Sequence, residues 1–363
     1  ITDGFMTVDF SLKGGSFLDA DGDGDLDYVQ SVNPRTAGAY YATARNYLFR
    51  NNGSGVFTQA TDNAAFAALP NYAVNERSTS LPRGAEGGLR YFDIDSDGLM
   101  DMVLADGTNF KVLCGRQTGV YENCVSTAAS SWVPAKGFVS TKYDGGLRIS
   151  DLNRDGIADF VVLFKNGTTI YRKAYVGSVC YTWPNSSTCN ATPYQNDPAY
   201  ATWDRRRYSW AESTYVSSQL PTAAYFVDAN KDTGLRLFDI NGDGREDLVY
   251  SPSTGTKYVW LNTRAVSGGE QVDFVACTTC ATEIPITFVK TGGVDKGVRF
   301  ADFNGDGLTD IVQTYVSTDP RVASVYMNTG ASFVLDSAYS SSATFNINYM
   351  GFDGSVRFAD VNE

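Results

Sequence analysis

Five stretches of this chain space their carboxylates in a way that suits a hard cation. They read FLDADGDGDLDYV (17–29), YFDIDSDGLMDMV (91–103), ISDLNRDGIADFV (149–161), LFDINGDGREDLV (237–249) and RFADFNGDGLTDIV (299–312). Counted from the first acid of each (Asp19, Asp93, Asp151, Asp239, Asp302), positions 1, 3, 5 and 9 carry Asp or Asn. Position 6 is always Gly: Gly24, Gly98, Gly156, Gly244 and Gly307. Oxygens at positions 1, 3 and 5, a main-chain carbonyl at 7 and a carboxylate at 9 supply the roughly six to eight oxygen ligands that calcium takes, and Gly admits the positive φ that wraps the loop. Without a cation, carboxylates crowded this closely repel one another strongly. The chemistry implied is metal coordination.

A helix–loop–helix calcium site begins the same way, but it needs a bidentate Glu at position 12. Here position 12 is Gln30, Leu104, Val162, Tyr250 and Gln313, and the flanks read as strands. Asp/Asn/Gly-rich solvated turns would explain one copy, not five in the same register.

The elements around these loops recur with them. A short lead containing Gly precedes each (GGLRYF, GGLRIS, TGLRLF, KGVRFA), and an apolar strand follows (YVQSV, MVLAD, FVVLF, LVYSP, IVQTY). Further on come aromatic strands that end in turns, as in NYLFRNNGSGVF, KYVWLNT and SVYMNTGASF. Asn-Gly and Thr-Gly turns between β-branched and aromatic runs predict hairpins, and no long segment has the period of an amphipathic helix. A sixth copy opens as GSVRFADVNE, with Asp360 and Asn362, and stops before its positions 5 and 9, so no complete site is expected there. An antiparallel unit of about four strands in roughly 60 residues predicts a propeller blade. The expectation is one all-β domain over 1–363, a β-propeller of about six four-stranded blades, its repeats starting near 15, 88, 146, 234, 297 and 354. FMTVDFSL near the N-terminus is expected to pair with the last strand and close the ring; seven blades, or an incomplete ring cut from a longer chain, are the alternatives.

GVRFADFNGDGLTDIV followed by VYMNTGASF resembles the FG-GAP or VCBS repeat, the calcium-binding blade of integrin-α-type β-propellers also found in bacterial surface proteins, lectins and Rhs or toxin-complex proteins. The resemblance implies a calcium loop joining adjacent strands of each blade. Its ligands would be Asp19, Asp21, Asp23 and Asp27, then Asp93, Asp95, Asp97 and Asp101. The third set would be Asp151, Asn153, Asp155 and Asp159, the fourth Asp239, Asn241, Asp243 and Asp247, the fifth Asp302, Asn304, Asp306 and Asp310. Main-chain carbonyls of Asp25, Leu99, Ile157, Arg245 and Leu308 would complete them. About five structural calcium ions follow, and their +10 would bring the net charge of −12 to −2.

With 41 acidic against 29 basic residues, the chain has no basic patch for nucleic acid or anionic lipid, and no run is apolar enough for membrane insertion. It opens on ITDGFMTVDF, without Met, a basic start or an apolar stretch, which reads as a processed or excised piece of a larger chain or assembly. Six Cys fall into three close pairs, Cys114 with Cys124, Cys180 with Cys189 and Cys277 with Cys280. These predict short disulfide loops and a secreted or cell-surface protein. A redox or zinc role for Cys277–Cys280 is disfavoured, because there is no second such pair, no His, and the following ATEIPITFV reads as extended.

The lack of His also removes the usual general base and the familiar hydrolase triads. No catalytic residues stand out, and the chain reads as no enzyme; a calcium-dependent polysaccharide lyase using Tyr and carboxylates is the enzymatic alternative. A binding or adhesion module for glycan or protein is the leading reading, and a propeller segment that docks partner subunits in an Rhs or toxin-complex protein is the other. The longest insertion, between the third and fourth loops, holds the candidate ligand-binding residues Trp183, Trp203, Arg205, Arg206, Arg207, Tyr208 and Trp210. These rings either stack on a ligand or pack the insertion onto its own blade. Arg154-Asp155-Gly156 lies inside a metal loop and is not read as an adhesion tripeptide.

Overall fold

The computed structural model describes residues 15–32, 45–54, 56–60, 88–105, 107, 110–116, 121–125, 136–140, 143–182, 206–263, 272–316 and 322–342. It also describes short strands at 35–36, 39–40, 74–75, 85–86, 189–190, 348–349 and 352–353. These residues form five antiparallel blades of a β-propeller, one fewer than the six expected. Residues 354–363, with Asp360 and Asn362, and the N-terminal FMTVDFSL lie outside the described residues. The only part of the sixth copy described is the ribbon that leads into it, Asn348–Tyr349 with Phe352–Asp353, which lies parallel against strand Asp310–Val316.

Blade 1 comprises Gly15–Leu18, Asp27–Val32, Arg45–Asn51 and Phe57–Gln59. Blade 2 comprises Leu89–Phe92, Asp101–Ala105, Phe110–Cys114 and Glu122–Asn123. Blade 3 is built from Leu147–Ser150, Asp159–Asn166, Thr169–Thr182 and Arg206–Ser213. Blade 4 has Leu235–Phe238, Asp247–Tyr250, Tyr258–Thr263 and Asp273–Ala276, and blade 5 has Val298–Ala301, Asp310–Val316, Val322–Asn328 and Phe333–Asp336. The acidic loops join the first and second strands of each blade.

The second strand explains the apolar runs of the sequence. Asp101–Ala105 is buried throughout, as are residues 159–164, 247–249 and 310–314. A strand with neighbouring blades on both faces has no solvent side, so it reads as a continuous apolar run instead of alternating. The hydrophobic clusters accordingly lie between blades. Ala20, Val29 and Leu48 meet Met102 and Tyr121; Val103 and Val112 join the large cluster around Phe160–Phe164, which continues to Leu235 and Leu248; Val249 and Phe288 meet Val298 and Ile311. Val275, Val334 and Leu335, on the fourth strands of blades 4 and 5, are among the exposed apolar side chains.

Blade 3 departs from the pattern. Its third strand runs for 14 residues, hairpinned to Asp159–Asn166 through Gly167-Thr168 with Gly167 at φ 61°, and pairs along eight residues with Arg206–Ser213. Among the described residues, three six-residue helices interrupt the sheets, Thr214–Gln219, Thr278–Glu283 and Ser337–Ser342. The second corrects the extended reading after Cys280: the Cys277–Cys280 disulfide pulls the chain into one helical turn, capped by Cys277 Sγ accepting from Cys280 N.

The leads hide a second repeated unit. A two-stranded ribbon ending in Asp144, Asp232 or Asp295 turns through Gly146, Gly234 or Gly297, at φ 77°, 88° and 68°, into the first strand of the next blade. Each Asp accepts that Gly's N–H and pairs with the Arg four residues on, Arg148, Arg236 or Arg299, at 2.6–2.9 Å. The guanidiniums of Arg90, Arg148 and Arg236 then lie 5.0, 4.7 and 6.0 Å from the rings of Phe138, Phe226 and Phe288, which precede the next ribbon. One ion pair thus clamps a turn while its Arg reaches the neighbouring blade. At Asp144 the burial cost is outweighed by the Arg148 guanidinium, which holds its carboxyl below the ordinary value.

Candidate functional site

All five acidic loops share one hydrogen-bond scaffold. The position-1 carboxylate accepts the backbone N–H of the position-6 Gly at 2.6–3.0 Å (Asp19 from Gly24, Asp93 from Gly98, Asp151 from Gly156, Asp239 from Gly244, Asp302 from Gly307). The position-5 Asp accepts from N–H of position 7 at 2.9 Å in every copy, on Asp25, Leu99, Ile157, Arg245 and Leu308. The position-6 Gly sits at φ 78–90°, and an added Cβ would meet nothing within 4 Å at Gly24, Gly98 or Gly307, so the backbone angle and not space demands Gly there. Position 4 is left-handed as well, as Gly22, Gly242 and Gly305 but also as Ser96 (φ 54°) and Arg154 (φ 59°). An L-residue there is strained, and the loop scaffold holds it.

Position 9 does more than the sequence reading gave it. Asp27, Asp101, Asp159, Asp247 and Asp310 are all fully buried. One carboxylate oxygen accepts the N–H of position 2 of the same loop at 2.7–3.1 Å. The other accepts an N–H from the third strand or just beyond it, on Asn51, Gly115, Gly177, Asn262 and Asn328, at 2.7–2.8 Å. This residue latches the loop to the next hairpin. In the metal-free chain burial, augmented by nearby loop carboxylates and only partly offset by those N–H groups, pushes Asp27 up to about 6, Asp101 and Asp159 to about 8 and Asp247 to about 7.

Position 3 divides the loops into two kinds. In blades 3, 4 and 5 it is Asn, and the amide of Asn153, Asn241 or Asn304 donates to the position-5 carboxylate at 3.0, 3.2 and 2.9 Å while its oxygen accepts that residue's N–H. Those loops satisfy themselves. In blades 1 and 2 it is Asp, and the carboxylates of Asp19, Asp21 and Asp27, and of Asp93, Asp95 and Asp101, bring oxygens within 4.8 Å of one another. Oδ2 of Asp21 meets Arg50 Nε at 3.3 Å, and Oδ2 of Asp95 accepts from Tyr208 OH at 2.6 Å. Among the described residues, Oδ1 of each is buried with no hydrogen-bond partner. Buried acceptors left unpaired among like charges fit a hard, oxygen-seeking cation.

Neighbouring loops are stitched together. Arg154 of loop 3 donates to Asp243 O, which removes it from any free tripeptide, and Arg245 of loop 4 donates to Leu152 O. Asn262 and Asn328 donate across to Leu152 O and Ile240 O of the preceding blade. The position-7 side chains Leu99 and Leu308 lie against Gly22 and Gly242 of the preceding loop, where a Cβ would collide.

Of the candidate ligand-binding residues, Tyr208 and Trp210 are buried, 1% and 3% exposed. Trp210 packs edge-on against Phe110 and Phe160 and donates to Ala158 O, so its ring serves packing. Arg206 and Arg207 are half-buried on the long ribbon; Trp183, Trp203 and Arg205 lie outside the described residues. Cys114–Cys124 and Cys277–Cys280 are disulfides, and Cys180 is disulfide-bonded, the side chain of Cys189 lying outside the described ones. No helix among the described residues is long and apolar enough to cross a membrane.

Residues 239–313, from the fourth loop into the strand after the fifth, match the family model of the FG-GAP-like repeat. The same loop register recurs in the three preceding copies, and the described residues form a β-propeller whose repeats are similar to the FG-GAP-like one. Among solved structures it is similar to an Agrocybe aegerita lectin that recognises non-reducing terminal N-acetylglucosamine, at 14% identity and a TM-score of 0.45, over 89% of this chain and 66% of that one. It is similar as well to the Photorhabdus luminescens Tc holotoxin pore, at 14% identity and a TM-score of 0.41, over 90% of this chain and 12% of that one. No curated protein matches.

Proposed function

We propose that the acidic loops bind calcium as a structural ion and that the propeller they stabilise is a binding module for a glycan or protein, acting outside the cytosol. The observation that carries the metal reading is the pair of buried, unpartnered oxygens, Asp21 Oδ1 and Asp95 Oδ1, inside carboxylate clusters. Calcium supplies the positive charge these groups lack and takes roughly six to eight oxygen ligands, which such loops offer. Asp19, Asp21 and Asp27 would hold it in blade 1, and Asp93, Asp95 and Asp101 in blade 2. The Asn loops have the same backbone scaffold with one carboxylate fewer and would hold it more weakly. Disulfides support an oxidising compartment. The ligand surface is sought on the 14-residue strand and its partner in blade 3, the elements that exceed the blade pattern and carry Arg206 and Arg207. The test is binding to an array of glycans and to candidate protein partners, in calcium and in chelator. Ligand retention that needs calcium supports the reading. A protein that takes up no calcium, or that turns over a polysaccharide to unsaturated ends, overturns it.

A further inference from the structure

Loop 2 differs from every other described loop in what holds its position-3 group. Asn153, Asn241 and Asn304 are held inside their own loops, and Asp21 by Arg50 of its own blade. Asp95 is held from the next blade, by a tyrosine 113 residues away in the chain. Tyr208 sits on strand Arg206–Ser213, 1% exposed, with its backbone fixed twice: its N–H donates to Cys124 O at 2.8 Å, and it forms a parallel bridge with Val125. Cys124 is itself tied by disulfide to Cys114 in the third strand of blade 2. The phenol is therefore delivered to Asp95 by a rigid frame. A hydroxyl that engages Oδ2 at 2.6 Å fixes the carboxylate plane and leaves Oδ1 buried and unpartnered among the described residues, in a side chain whose carboxylate clusters with those of Asp93 and Asp101.

We propose that Tyr208 is a positioning residue for the blade-2 cation site, so that calcium in loop 2 and the docked state of strand Arg206–Ser213 are energetically coupled. The proposal rests on the calcium reading above. Groups that orient a metal ligand from outside contribute about 10- to 100-fold to metal affinity. Coupling is reciprocal, so the ion that gains from Tyr208 must hold in place the strand that carries it, with Arg206 and Arg207. A cation site would thereby set the order of the ribbon on which a ligand surface is sought.

The experiment uses the full chain, stripped with chelator, and Tyr208→Phe, which removes the hydroxyl and keeps the ring. Calcium binding is followed by titration calorimetry, and the blade-2 site by terbium luminescence sensitised by nearby aromatic side chains. Hydrogen exchange of 206–213 is read with and without calcium. In the variant one site is expected to weaken by about tenfold or more while the others hold, and calcium-dependent protection of 206–213 is expected to shrink. Melting in chelator is expected to change little beside the loss seen in calcium. Asp95→Asn serves as the second background, in which adding Tyr208→Phe should cost little further affinity. An unchanged isotherm in Tyr208→Phe, or an equal loss of melting temperature with and without calcium, overturns the coupling and leaves the loops as cation sites. Wild-type protein that binds neither calcium nor terbium overturns the underlying reading instead.

Discussion

The loops of blades 1 and 2 and those of blades 3, 4 and 5 share a backbone scaffold and are set apart by position 3, Asp in the first group and Asn in the second. With Asn at position 3, the side-chain amide bridges to the position-5 carboxylate, and the empty loop is a closed hydrogen-bonded unit. With Asp there, the bridge is impossible, since two carboxylates repel, and the loop recruits help from outside itself: Arg50 in one case, Tyr208 in the other. Even so, one oxygen of each Asp stays unpaired. The same fold thus contains loops that persist without an ion and loops that are frustrated without one.

The largest effect is expected where the two kinds do not differ. Replacing a position-9 carboxylate, Asp101→Ala in blade 2 or Asp159→Ala in blade 3, leaves two buried N–H groups without acceptors. At ~1–3 kcal/mol for each orphaned donor, either change should cost roughly 2–6 kcal/mol in denaturant unfolding, with or without calcium. A loss confined to calcium-loaded protein would mean that position 9 acts as a ligand alone and not also as a latch.

Chelation should separate the kinds. In chelator, hydrogen exchange should rise over residues 19–27 and 93–101 and less over 151–159, 239–247 and 302–310, with a fall in melting temperature. Equal exposure of all five would dissolve the distinction.

The pH dependence has a definite sign. Asp101 and Asp159, pushed up to about 8 by burial, bind a proton in the metal-free fold at pH values where the unfolded chain, near 3.8, has lost it. Their contribution is full below about pH 4 and is lost as the pH rises to about 8, so metal-free protein should melt lower across that window. Excess calcium, which replaces those protons, should flatten or invert the slope in thermal scans. A metal-free melting temperature that rises between pH 5 and 8 would contradict the burial argument.

The smallest effect comes from converting one kind into the other. Asn241→Asp should tighten calcium binding at loop 4 by ~10-fold through the added carboxylate and slightly lower stability in chelator by removing the amide bridge. Calorimetry on the variant checks the first and melting in chelator the second.

Much of this was legible in the chain because it is local. Positions 1, 3, 5 and 6 act within nine residues, and their register across five copies announced both the loops and the strands that follow. The roles that escaped reading depend on distance along the chain. The second bond of position 9 comes from residues 14 to 24 further on, and Tyr208 reaches Asp95 across 113. Tyr208 stands out in the sequence only as an aromatic beside an Arg run, and its burial favours the packing alternative over ligand stacking. The ion-paired turns before the first strands of blades 3, 4 and 5 have a visible signal, an Asp followed four residues later by Arg across a Gly, at Asp144, Asp232 and Asp295.

The central claim is that these loops take up calcium in two grades. Titration calorimetry of chelator-stripped protein tests it most directly. The account predicts a tighter class of two ions, lost one at a time in Asp21→Asn and Asp95→Asn, followed by a weaker class from the Asn loops. A featureless titration, or a single class untouched by either substitution, would contradict it.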